Sequence, residues 1–151
     1  MFRKMFFIGA AAAGLTLATS AGYALQADGA DASAADSFDS YTGDATAGAA
    51  LFKKCRPCHS VEPGSKKVGP SLYGVVGRTP GALEGYKYSP AMIAFGESGA
   101  VWDGATLFRY LAGPRDLVPK TKMIFPGLAN PQDRANVVAY LSSLSAGGAG
   151  Q

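Results

Sequence analysis

Cys55-Arg56-Pro57-Cys58-His59 constrains this chain more than any other stretch: two cysteines two residues apart, followed at once by a histidine. That pattern is the attachment signature of a c-type heme. Two thiols at this spacing can add across the two vinyl groups of one macrocycle, while the adjoining imidazole meets the iron from one face. The chain has only two cysteines and one histidine, so the stretch uses all of them. Two other chemistries share part of the pattern. A structural zinc site needs four Cys or His ligands at paired spacings, and no second pair exists. A redox-active dithiol belongs at the end of a strand that opens a helix within a βαβ unit. Here the lead-in Ala49-Ala50-Leu51-Phe52 reads as helix.

The N-terminus suggests a compartment. Arg3 and Lys4 precede an uncharged, alanine-rich run from Met5 to about Leu25 that closes in small residues, the layout of a secretory signal peptide over residues 1–25. Export to the periplasm follows, and thioether use of both thiols accounts for the missing disulfide framework. The alternative is a retained anchor in the inner membrane, facing the periplasm, since the run is about long enough to span a bilayer. Residues 26–46 then carry Asp28, Asp31, Asp36, Asp39 and Asp44 among Ala, Ser and Gly with no basic residue. Such a composition buries too little apolar surface to order itself, so an acidic flexible tail or linker is expected. From Gly48 onward the chain keeps twelve of its fourteen Lys and Arg but six of its eleven acids, a balance of +6 against +3 for the whole. Moderate positive charge on a small exported protein points to an acidic protein partner, not to nucleic acid.

What remains is one domain, residues 47–145, with a disordered C-terminus at 146–151; its size suffices for a single core of which heme supplies part. No strand-like alternation of any length occurs, and three segments carry a helical period, so the fold class is all-α. The first helix runs from Asp44 as cap to Cys58, with Ala47, Leu51 and Phe52 on one stripe. The second starts after Asp103, groups Leu107, Tyr110 and Leu111, and stops at Gly113-Pro114. The third opens with Asn130 as cap and Pro131 at its first position, and lines up Val137, Val138, Leu141 and Leu144. Met92 to Phe95 reads as a short extra helix, and the rest as Gly- and Pro-punctuated loop.

Six-coordinate iron needs a ligand opposite His59, and with no second histidine the remaining soft donor is methionine. Met1 and Met5 lie in the export segment, which leaves Met92 and Met123. Met123 is the better candidate, because its segment Lys120-Thr121-Lys122-Met123-Ile124-Phe125-Pro126 is a loop beyond the second helix that can return over the opposite face. Met92, inside the short helix, reads as core filler.

The chain contains Gly43-Asp44 to Phe52 and the heme motif, then Val68-Gly69-Pro70-Ser71-Leu72-Tyr73-Gly74-Val75-Val76-Gly77-Arg78, Gly85-Tyr86-Lys87-Tyr88-Ser89, Trp102, Tyr110-Leu111, Lys120 to Phe125, and Ala139-Tyr140-Leu141. Together these blocks resemble class I cytochrome c of the mitochondrial and bacterial soluble type. The resemblance implies a small cytochrome c fold, three main helices and loops around one covalent heme c. It also implies that the Pro70 carbonyl orients His59, that Arg78, Tyr88 and Trp102 hold the heme propionates, and that Tyr110 reaches toward the Met123 sulfur. Gly48 and Phe52 would cross Tyr140 and Val137. Two departures stand out: Lys120 where the family often has glycine, and Met92 where it often has asparagine.

With His59 and Met123 both on iron, no coordination position stays open for a substrate. An electron-transfer protein rather than an enzyme is expected, exchanging single electrons at the heme edge. The resemblance supplies the setting: a monomeric periplasmic carrier between a quinol-oxidising complex and a terminal oxidase, reductase or photochemical centre, meeting acidic docking faces through Lys66, Lys67, Lys87, Lys120 and Lys122. The alternative is a heme subunit or dedicated acceptor of a periplasmic dehydrogenase.

Overall fold

The computed structural model describes residues 37–65 and 67–144. Residues 1–36, which carry the expected signal peptide and part of the expected acidic tail, Lys66 and the residues from 145 lie outside the described residues. Among the described residues the regular structure is helical: α1 Ala45–Leu51, α2 Pro90–Glu97, α3 Gly104–Ala112, α4 Pro114–Leu117 and α5 Pro131–Ser143. No strand occurs among them.

The caps explain where the helices begin. The Asp44 carboxylate accepts from the amides of Thr46 and Ala47, Ser89 Oγ from Met92 N, Asp103 from Thr106 N, and Asn130 Oδ1 from Gln132 N. Prolines at the first positions of α2, α4 and α5 add a fixed φ where the missing N–H costs nothing. The first helix is shorter than its stripe suggested. After Leu51 the backbone tightens into a 3₁₀ turn, Phe52–Lys54, and Cys58 N and His59 N both bond to Cys55 O. Pro57 has no N–H to give to a regular ladder, so the motif sits in a succession of tight turns. Gly113-Pro114 ends α3 as expected, yet Pro114 also starts α4 at once.

The core is built where α1 crosses α5. A Cβ on Gly48 would strike the Asn136 carbonyl and sit 2.8 Å from Tyr140 Cβ, so only glycine lets the backbones approach this closely. The Phe52 and Tyr140 rings meet at 5.3 Å. Val137, Val138 and Leu141 are buried against Phe52, Leu107, Phe108 and Leu111, while Leu144 is half-buried. Met92 is buried, the filler position read from the sequence.

The stretch expected to be loose through residue 46 is packed over its described part. Phe38 and Tyr41 lie against the Phe108 ring at 5.8 and 5.6 Å, and the Arg134 guanidinium lies 4.4 Å from that ring's centre. Thr42 O accepts from Gln132 Nε2, and Asp44 N donates to Asn136 Oδ1. The aspartates dominated the compositional reading; two aromatics with a ring to bury against outweigh them locally.

Candidate heme site

The site grows from the turn that carries the motif. Cys55 is half-buried, Cys58 exposed, and both thiols are free. Burial raises the Cys55 pKa, with Lys54 opposing. His59 Nδ1–H donates to Pro70 O at 2.8 Å, which fixes the tautomer and leaves Nε2 as the lone-pair nitrogen. Burial lowers the His59 pKa below its ordinary value, the Pro70 bond opposing, so the imidazole is held in the neutral form a metal requires. Pro70 is in turn placed by two short bonds, Gly69 N to Cys58 O at 2.7 Å and Leu72 N to Ser60 O at 2.8 Å. Any Cβ at Gly69 would collide with the His59 ring, so the glycine opens the place the imidazole occupies.

Arg78, Tyr88, Trp102 and Tyr110 form one connected group. Arg78 donates through Nη1 to Tyr73 O and through Nη2 to Ser71 O, next to Pro70. Gly77 N bonds to Trp102 O and Trp102 N to Arg78 O, so the two chain segments are stitched together. The Trp102 ring lies 4.8 Å from Tyr110 and 5.7 Å from Phe95. Burial raises the Tyr88 pKa and lowers that of Arg78, and each group's charge opposes the other's shift. The Tyr110 hydroxyl bonds to Thr121 Oγ1 at 3.2 Å, and Thr121 Oγ1 accepts from Met123 N at 3.3 Å. Tyr110 therefore reaches the Met123 segment through Thr121. Nothing in the sequence marked Thr121, because its partner lies eleven residues back on a helix.

Hydrogen bonds between loops link the two sides of the site. Tyr86 OH donates to Val68 O, beside Gly69, and Lys122 Nζ donates to Lys87 O at 2.9 Å and to Tyr88 O at 3.3 Å. Lys67 Nζ bonds to Arg56 O within the motif. Lys67 and Lys122, read from the sequence as surface charges, also tie loops; Lys87 and Lys120 are exposed. Val68 and Ile124, next to Gly69 and Met123, are 79% and 88% exposed.

Heme fits this donor set. Two free thiols share one turn, a neutral imidazole has its spare nitrogen defined, and a half-buried thioether sits on a segment bonded to loop 86–88. Among the described residues no group of three or more His, Cys, Asp or Glu side chains is placed to hold a metal ion.

The family model described as cytochrome c matches residues 45–145. Cytochrome c2 of Rhodoblastus acidophilus is 50% identical over 107 residues, 70% of this chain and 97% of that protein. Cytochrome c2 iso-2 of Magnetospirillum fulvum is 52% identical over 93 residues, 62% of this chain and 94% of the relative. The solved structure of cytochrome c2 from Rhodospirillum centenum superposes with a TM-score of 0.64 at 39% identity, covering 68% of this chain and 99% of that one.

Proposed function

Because this chain belongs to the cytochrome c family, we propose that it shuttles single electrons in the periplasm between a quinol-oxidising complex and a terminal oxidase, reductase or photochemical centre. It is an electron-transfer protein, not an enzyme, and the family carries one covalent heme c. Bound at these residues, that group supplies a one-electron couple. The chain does the rest. Cys55 and Cys58 would attach it by thioethers and His59 Nε2 would hold the iron, oriented by the bond from Nδ1 to Pro70. Met123 would hold the iron as well, through a thioether that favours the reduced state. Arg78, Tyr88 and Trp102 would hold the propionates, with buried Trp102 and Tyr110 packed beside them.

The observation that carries this reading is the pairing of a tautomer-fixed His59 with a Met123 segment bonded down through Lys122 and Thr121. With both residues holding the iron, transfer would be outer-sphere. Docking uses the basic rim of Lys67, Lys87, Lys120 and Lys122 around exposed Val68 and Ile124, charges steering an acidic redox partner and the apolar pair making contact. The test is Met123→Ala. The ferric variant should lose the weak far-red iron–sulfur band, fall in potential and bind carbon monoxide when reduced, whereas Met92→Leu should do none of these. Persistence of the band in Met123→Ala would overturn the assignment.

A further inference from the structure

Lys120 is the one residue other than glycine, among the described residues, whose φ is positive, at 67°. It stands third in the turn Val118-Pro119-Lys120-Thr121, closed by Thr121 N donating to Val118 O at 3.1 Å. Proline second and positive φ third is the type II pattern, whose third place favours glycine or asparagine. A lysine Cβ there crowds its own carbonyl, a penalty on the order of tenfold in population. Asparagine can offset such a penalty with a short local hydrogen bond; the lysine side chain is exposed and has no comparable short bond to make.

Strain of this kind persists only where the surroundings over-determine the backbone. Here they do so immediately downstream. Thr121 is buried and bonded to the Tyr110 hydroxyl, its Oγ1 also accepts from Met123 N, and Lys122 Nζ is fastened to Lys87 O and Tyr88 O. The strained turn and the fastened segment are consecutive, so opening the segment frees the turn to relax.

We propose that Lys120 is a positioning residue for Met123: its left-handed backbone opposes the closed position of residues 121–123 and sets how often that segment lets go. The inference rests on Met123 as the second iron ligand. Opening is thereby more frequent than in a chain with an unstrained residue at this place, and the bonds of Thr121 and Lys122 hold the segment against it.

The test uses the ferric holoprotein and imidazole, an uncharged probe above neutral pH that occupies iron only when Met123 has left. Apparent imidazole affinity is compared among wild type, Lys120→Gly, Lys120→Asn and Lys120→Ala, with the far-red iron–sulfur band recorded for each. Glycine and asparagine should weaken imidazole binding about three- to fivefold, glycine's greater freedom in the open state offsetting part of its gain. Alanine keeps the Cβ and loses the charge, and should stay within about twofold of wild type. Wild-type affinity in both Lys120→Gly and Lys120→Asn, with the band present, would overturn the inference alone. Equal weakening in Lys120→Ala would do the same, assigning the effect to charge. A wild-type protein without the band would overturn the Met123 reading and the inference with it.

Discussion

A buried imidazole prefers to be neutral, and at His59 burial lowers the pKa while the bond to Pro70 O pulls the other way. The net direction is downward, so desolvation outweighs the hydrogen bond and the ring is neutral at neutral pH. Tyr110 shows the same physics on an acid. Burial raises its pKa above 10.0, the bond to Thr121 opposing. Between 10.0 and the higher folded-state value, the unfolded chain has lost a proton that the folded protein keeps. Stability contributed by the neutral phenol is therefore complete below that window and is lost as pH rises through it. Tyr110→Phe should cost about 1 kcal/mol at neutral pH through the lost bond to Thr121. Above pH 10 its denaturant midpoint should fall less steeply than the wild type's. Parallel midpoints for the two proteins across the alkaline range would show that the Tyr110 hydroxyl carries no linked proton. The proposed ligands could be picked from the sequence because chemistry fixes their type and, for the motif, their spacing. Thr121 was not, since a small polar residue in a loop takes its meaning from a partner elsewhere in the chain.

At the scale of elements, the α1–α5 crossing depends on Gly48. A Cβ there would overlap the Asn136 carbonyl, which belongs to a helix and cannot swing aside as a side chain could. Gly48→Ala should therefore destabilise the protein by about 1 to 3 kcal/mol despite alanine's better helix propensity. Equilibrium denaturation measures it, and an unchanged or raised midpoint would mean that the two helices have room to part. The starts of α1, α3 and α5 were legible because caps are local: Asp44, Asp103 and Asn130 each act within three residues. Ser89 caps α2 in the same way, but the sequence reading began that helix at Met92. The end of α1 was less so. Its apolar stripe continues through Phe52, whereas the ladder tightens there, ahead of Pro57 and the bonds of Cys58 N and His59 N to Cys55 O. On α5, Arg134 and Asn136 are buried beside the expected apolar face. Arg134 donates to Leu128 O and Ala129 O and stacks on Phe108, and Asn136 Oδ1 accepts from Asp44 N and Gln132 Nε2. Their polarity concealed this, because burial follows satisfied hydrogen bonds as well as hydropathy.

Across the whole molecule, links between loops rather than sheet or bundle packing hold together the segments that carry His59 and Met123. Cys58 O to Gly69 N, Val68 O to Tyr86 OH and Lys87 O to Lys122 Nζ connect the turn of His59 to the segment of Met123. Two of these donors are the tips of long side chains, and such pairings leave no period in a sequence. The charge balance of +6 from Gly48 onward, by contrast, was plain from composition. Its consequence can be separated from net charge alone. Lys87 is exposed, and its part in the loop links is played by its backbone carbonyl, so Lys87→Glu changes the rim while sparing the bond from Lys122. Arg109 lies on α3 beside Phe108 and Arg134, where Phe38 and Tyr41 pack, so Arg109→Glu makes the same change of charge by the outer aromatic cluster. If a basic rim steers encounter, the bimolecular rate with the native partner should fall as salt shortens the screening length to about 10 Å and below. Lys87→Glu should slow the low-salt rate several-fold and flatten its salt dependence, and Arg109→Glu should do much less. Equal slowing by both variants would mean that the partner senses only total charge. A wild-type rate indifferent to ionic strength would remove the rim's role in docking.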